Sequence, residues 1–220
     1  MNDNYGKQEE IMENLLIVGA HYDDSELGAG GIAAKYMADG KNVYKITLTD
    51  TKVVSSLMDL DIQAGRAREN SREACKILGV TEIDFPTSEY GKLEYDQEIM
   101  QNMEKIISQY DIDTCIFHFH DDYNTDHIAA NKICKTAARH CQNLLMYQSN
   151  PYIIAEAFYP NVFIDITDYI DKKQDALMCY DEAHNRQGKL FQTSIERNKI
   201  WGYGTHTGYA EGFMAIKLSL

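Results

Sequence analysis

Apolar positions along the chain alternate between short continuous runs and stretches with three-and-four spacing, and that alternation predicts its elements. NLLIVGA (14–20) has the run of a strand buried on both faces, LGAGGIAAKYMA (27–38) has helical spacing and is closed by Gly40, and NVYKITLT (42–49) is a second buried run. The unit then repeats. Residues 60–78 have helical spacing and end at Gly79, EIDF (82–85) predicts a short strand, 95–110 a helix and TCIFHF (114–119) a strand. Residues 126–140 predict a helix, NLLMYQ (143–148) and VFIDI (162–166) strands, and 168–184 a helix. The glycine-rich stretch after Trp201, GYGTHTGYAEG, predicts a loop and a closing strand. Such alternation implies an α/β fold, Rossmann-like, with a mainly parallel sheet and helices on both faces. With no linker, repeat or low-complexity segment, residues 1–220 are expected to form a single domain. Ligands bind such sheets outside the carboxyl ends of the strands, so chemistry is expected after residues 20, 49, 85, 119 and 148.

Two of those places are heavily loaded. The first, GAHYDDSELGAGG, has the glycines of a dinucleotide-binding turn but not their spacing: a histidine and three acids stand where phosphate would approach. A metal site accounts for the same residues. His21 and Asp24 offer an imidazole and a carboxylate from one tight turn, Asp23 between them can handle a proton, and Gly28, Gly30 and Gly31 let the next helix pack close to the sheet. The competing reading makes Asp23, Asp24 and Ser25 helix caps, but capping needs one such residue, not four polar groups at the mouth of a buried strand.

The second place, HFHDDYNTDHIAANKI, packs three histidines and three aspartates into ten residues. His127 is placed in the first turn of a helix, from where it can reach back toward the strand ends, and Asp126 can orient an imidazole. His118 and His120 are expected to divide between the site and a helix layer, with a structural role open for each, and Asp121 or Asp126 is a candidate helix cap.

Charge and cysteine content narrow the function classes. With 21 basic and 34 acidic residues the net charge is −13, a field that repels nucleic acids and anionic membranes. The five cysteines form no CxxC pair and lie mostly in apolar segments, as reduced core residues do. The polar start MNDNYGKQEE lacks the pattern of a secretory leader, and no apolar run approaches the ~20 residues that span a bilayer, so no membrane insertion and a cytoplasmic location are expected. A homo-oligomer is left open.

AHYDDSELGAGG (20–31) and the D-x-N-T-D-H element (122–127), about 100 residues apart, resemble the PIG-L/LmbE-like family of zinc-dependent N-deacetylases, whose usual motifs are AHPDDE and HxDH. RARENSREACKILGV (66–80), FIDITDYIDKKQDAL (163–177) and GYAEGF (208–213) extend the likeness along the chain. The resemblance implies an LmbE-like fold, His21, Asp24 and His127 as ligands of Zn2+, Asp23 as general base and Asp126 in support; Fe2+ or another divalent metal suits similar donors. It also implies a small-molecule partner, an N-acetylated amino sugar or glycoconjugate, with amide hydrolysis as the reaction. Arg68 and His120 are candidates for contacting it. His206, Tyr209 and Glu211 are candidates for lining or closing the pocket. Three positions depart from the family pattern. Tyr22 replaces proline and Ser25 an acid, which should affect loop rigidity and charge only. Asn124 replaces a histidine; an asparagine can donate a hydrogen bond to an oxyanion but cannot shuttle protons. His118, His120 or His206 are alternative acids. The rival reading is a non-catalytic metal- or ligand-binding relative whose activity lapsed with Asn124. A nucleotide-binding α/β protein is a further alternative.

Overall fold

The computed structural model describes residues 12–57, 60–181 and 189–219. In chain order its elements are β1 (Asn14–Gly19), α1 (Asp24–Ala38), β2 (Asn42–Thr47), β3 (Val53–Ser55), β4 (Leu60–Ile62), α2 (Ala64–Leu78), β5 (Thr81–Glu82), α3 (Gln97–Gln109), β6 (Thr114–His118), α4 (Thr125–Ala137), β7 (Asn143–Tyr147), β8 (Val162–Asp165), α5 (Ile170–Met178), α6 (Lys189–Thr205) and β9 (Ala210–Lys217). The main sheet has the order β5-β2-β1-β6-β7-β9-β8. β5, β2, β1, β6 and β7 are mutually parallel, while β9 runs antiparallel to both β7 and β8.

Apolar residues on both faces of the central strands are buried, which is why those strands read as continuous runs. On one face Leu16, Val18, Cys115 and Phe117 pack with Met103, Ile106, Ala130 and Ile133 from α3 and α4. On the other, Leu15, Ile17, Ile116 and Leu145 pack with Ala29, Ile32 and Ala33 from α1. α1 lies close enough to the sheet that a Cβ on Gly28 would come within 2.0 Å of the Tyr147 ring, and one on Gly31 within 2.6 Å of Ile166. The close packing expected of these glycines is therefore present.

α1 is kinked at Ala29 (φ −146°, ψ 17°). Past the kink, the Gly31 and Ile32 N–H groups donate to the Glu211 carboxylate at 2.8 and 2.7 Å. Glu211 also meets Lys173 Nζ at 2.7 Å, and both side chains are fully buried. Glu211 thus acts as an internal cap at a helix break, and not as a pocket wall as the sequence suggested.

Other expectations need adjusting. Residues 60–62 belong to β4, which pairs with β3 as a separate antiparallel hairpin; three-residue strands are too short to show a period. α6 was not anticipated, because its buried side carries Ser194 and Asn198, whose side chains donate to Leu27 O and Ala210 O and break the apolar spacing. α6 runs through Gly202 and Gly204, so the loop begins only after Thr205. The helix expected at 168–184 is a 3-10 turn at 167–169 followed by α5, with 182–184 outside the described residues.

Moving outward from β1, the chain goes to β2 and β5 on one side, and β6 and β7 lie on the other. β1 and β6 therefore flank the point where strand order reverses, and their carboxyl ends open on the crevice where such sheets bind ligands. Parallel pairing of Leu15 with Thr114 and Ile17 with Ile116 brings the loops after residues 19 and 118 side by side.

Candidate metal centre

The first loop leaves β1 at Gly19 and enters α1 at Asp24, three residues before the expected helix start. Asp24 closes this turn by accepting the His21 N–H at Oδ2, 2.7 Å away. Asp23 occupies the N-cap position, but its side chain makes no capping hydrogen bond to the helix. Capping thus does not account for either aspartate. Tyr22 N–H donates to Thr51 Oγ1 at 3.1 Å, a bond that a proline at this position lacks, and Tyr22 O accepts from Lys45 Nζ at 2.6 Å and from the Tyr180 hydroxyl at 2.8 Å. Lys45 also neutralises the buried Glu26 at 2.7 Å.

The second loop leaves β6 at His118 and enters α4 at Thr125. Its N-cap is Asn124, whose Oδ1 accepts the Asp126 N–H at 2.9 Å, rather than Asp121 or Asp126. This turn places His127 beside His21 and Asp24, and one ligand atom from each of the three lies within 4.8 Å of the others. All three are buried.

The outer nitrogen of each imidazole is held by a carboxylate. His21 Nε2 lies 3.1 Å from Asp126 Oδ2, and His127 Nδ1 lies 2.9 Å from Asp122 Oδ2. Ionised carboxylates only accept, so these outer nitrogens are the donors and, in neutral rings, the inner ones carry lone pairs. The inner nitrogens, His21 Nδ1 and His127 Nε2, face each other at 3.2 Å, with Asp24 oxygens 3.3 and 3.4 Å from them. Two lone pairs and a carboxylate converging in a buried space repel unless a cation lies among them. The donor set therefore fits a metal ion, and the carboxylate on the far side of each histidine is the usual support for such a ligand.

The titration of the cluster points the same way. Burial lowers His127, but Asp24 and Asp122 outweigh it and raise its pKa to about 10. Burial likewise lowers His21, but hydrogen bonds to Asp126 and Asp24 outweigh it and raise its pKa above the ordinary imidazole value. Burial alone would raise Asp24, yet the charges of His127 and His118 hold it well below the usual carboxylate range.

Asp126 orients His21, not the neighbouring His127, and also accepts the Gly91 and Leu93 N–H groups at 2.7 and 3.0 Å. Saturated in this way, it positions the ring rather than exchanging protons. His118 is brought into the cluster, stacked on His127 with ring centroids 4.0 Å apart. Burial and His127 push its pKa down to about 4, and its Nε2 accepts the Ala20 N–H at 3.0 Å, so at neutral pH it has no imidazolium proton to give. The expected division of His118 and His120 fails for His120. Residues two apart share a face on a strand, and β6 ends at His118, leaving His120 in a loop where it pairs with Glu156 at 2.8 Å.

Arg68 pairs with Asp84 and lines a small polar pocket with Tyr22 and Thr47, one residue from His21. His206 is exposed just past the end of α6. Two participants escaped the sequence reading: Asp122, and Tyr90, whose ring lies 4.8 Å from that of His21. Asp122 lies within the D-x-N-T-D-H element, and Gly91, with φ +74°, marked the turn that carries Tyr90. Four of the five cysteines are buried and all are unpaired, as expected.

A histidine and carboxylate cluster that could hold a metal ion, at the switch point of a mainly parallel sheet, defines a Rossmann-like α/β protein with a candidate metal centre. The PIG-L family model (GlcNAc-PI de-N-acetylase) matches residues 16–138, which contain every residue of this cluster. The chain belongs to that family. Among solved structures, N,N'-diacetylchitobiose deacetylase from Pyrococcus horikoshii is similar with a TM-score of 0.76 at 18% identity, covering 97% of this chain and 88% of the other. The conserved protein TT1542 from Thermus thermophilus has a TM-score of 0.77 at 21% identity, covering 95% and 97%. The 4-carboxy-2-hydroxymuconate hydratase GalB from Pseudomonas putida has a TM-score of 0.78 at 19% identity, covering 95% and 98%. At such identities the likeness establishes the fold. Among the described residues no helix is long and apolar enough to cross a membrane.

Proposed function

We propose that the chain hydrolyses the amide of an N-acetylated amino sugar or its conjugate, with His21, Asp24 and His127 holding a zinc ion. The observation that carries this reading is the convergence of two inner imidazole nitrogens and a carboxylate next to Asp23, in a chain of the de-N-acetylase family. Zinc bound there supplies a Lewis acid that polarises the acyl oxygen and acidifies water. Asp23, buried at the mouth of α1, takes the proton from the attacking water as its oxygen adds to the acyl carbon. The carbon–nitrogen bond then breaks, and Asp23 returns the proton to the departing amine, giving acetate and a free amino sugar. Asn124 contributes an amide N–H toward the oxyanion, its Oδ1 being occupied by the cap of α4. Asp126 and Asp122 keep the two rings aimed.

The test is metal content by mass spectrometry, with acetate release from N-acetylglucosamine derivatives, for the wild type and Asp23→Ala. About one zinc per chain and turnover that disappears in the variant support the reading. Zinc without turnover favours the non-catalytic relative, and absence of metal removes the assignment of the three ligands.

A further inference from the structure

Beside the metal centre, the loops that follow β6 and β7 are tied to each other. Asp121 Oδ2 accepts the Glu156 N–H at 2.7 Å, and Glu156 Oε2 meets His120 Nε2 at 2.8 Å. Two tyrosines stand out of this joint. Tyr123 is 73% exposed and Tyr152 47% exposed, and their rings meet edge to face with centroids 6.3 Å apart. Neither belongs to a core cluster. Tyr123 is held in place by its neighbours: Asp122 bonds His127 and the Asn124 N–H, and Asn124 caps α4. The ring therefore projects from a segment whose two sides are anchored to the metal centre.

We infer that Tyr123 and Tyr152 form a stacking subsite for a second, uncharged sugar ring, next to the ring that presents its acylamino group to the metal centre; this rests on the deacetylase reading above. An aromatic face offers apolar surface to the C–H face of a pyranose, and a tyrosine pair presents that surface with little loss of side-chain freedom. The carboxylates of Asp121 and Glu156 in the same joint accept hydrogen bonds from sugar hydroxyls, and together with Asp122, whose oxygens are taken by His127 and the Asn124 N–H, they repel a phosphate or carboxylate in the same place.

The experiment compares zinc-loaded wild type with Tyr123→Ala, Tyr152→Ala, Tyr152→Phe and, as a control, Tyr159→Ala, another exposed tyrosine of the segment following β7. Acetate release is measured on N-acetylglucosamine and N,N'-diacetylchitobiose, and binding of the disaccharide is followed by calorimetry. The alanine variants are expected to lower the ratio of disaccharide to monosaccharide kcat/KM about fivefold each and to weaken disaccharide binding to match, as loss of one stacking contact does. Tyr152→Phe should recover most of the ratio, and Tyr159→Ala should leave it at the wild-type value. An unaltered ratio in both alanine variants overturns the subsite while leaving the deacetylase reading in place. Tyrosine-dependent binding of the disaccharide with no acetate released from either sugar overturns the deacetylase reading and supports the subsite. Failure of the wild type to bind the disaccharide overturns the subsite.

Discussion

Asp122 accepts a hydrogen bond of 2.9 Å from Nδ1 of His127 and so turns the other ring nitrogen toward His21 and Asp24. The same carboxylate accepts the Asn124 N–H at 2.8 Å, so it joins the loop to the ring it orients.

Asp122→Asn keeps the shape of the side chain and removes its charge. Metal affinity, measured by competition with a chromophoric chelator, should fall roughly 10- to 100-fold, the usual effect of losing a partner that orients a ligand. Unchanged affinity would mean that packing against His118 alone sets the ring.

Asp23→Asn should separate proton transfer from metal binding. The expected result is a loss in kcat of about 10²- to 10⁴-fold, with metal content still about one per chain. Loss of the metal in this variant would instead make Asp23 a ligand.

The histidines predict how stability depends on pH when no metal is bound. His118 has a folded pKa of about 4, below the unfolded value near 6.5; as pH falls through 6.5 the unfolded chain takes up a proton that the native state refuses, and stability is lost down to about pH 4. His127 has a folded pKa of about 10; its contribution is complete below pH 6.5 and is lost as pH rises toward 10, and His21 changes in the same direction. The acid limb amounts to about 3 kcal/mol and the alkaline limb to about 5 kcal/mol. Chelator-treated protein should therefore melt at the highest temperature near pH 6.5. Zinc replaces the protons on these rings, so the alkaline decline should flatten when it is added. Melting curves between pH 5 and 9, with and without zinc, check this, and an identical alkaline limb in both series would contradict it.

Glu211→Ala leaves Lys173 charged in a fully buried site and two N–H groups of α1 without their acceptor. The expected cost is about 3 to 5 kcal/mol, or a fall in Tm of roughly 10 °C for a chain of this size. Combining Glu211→Met with Lys173→Met should return part of that, because no buried charge remains. A single variant as stable as wild type would show that water reaches the pair.

The sequence by itself determined the central layers and the chemistry at their edge. Runs such as Leu15 to Val18 are apolar at every position because both faces of a parallel strand are covered, and that property is visible locally. His21, Asp24 and His127 stood out as candidate ligands for a similar reason: polar residues crowded into the segments that follow buried strands are costly without a use, and the structure brings the three together.

Only the tertiary structure decided what depends on pairing between distant segments. That β1 lies beside β6 brings two loops about 100 residues apart into one site, and it gives Asp126 to His21 rather than to its sequence neighbour. Gly91 and Leu93 enter through backbone N–H groups, which leave no trace in side-chain chemistry. Glu211 and α6 were misread or missed because buried polar groups satisfied by remote partners look like surface residues in a one-dimensional pattern. A hydrogen bond pairs one polar group with another whatever the distance between them along the chain, so periodicity shows which residues face the core but not which partner each buried polar group finds.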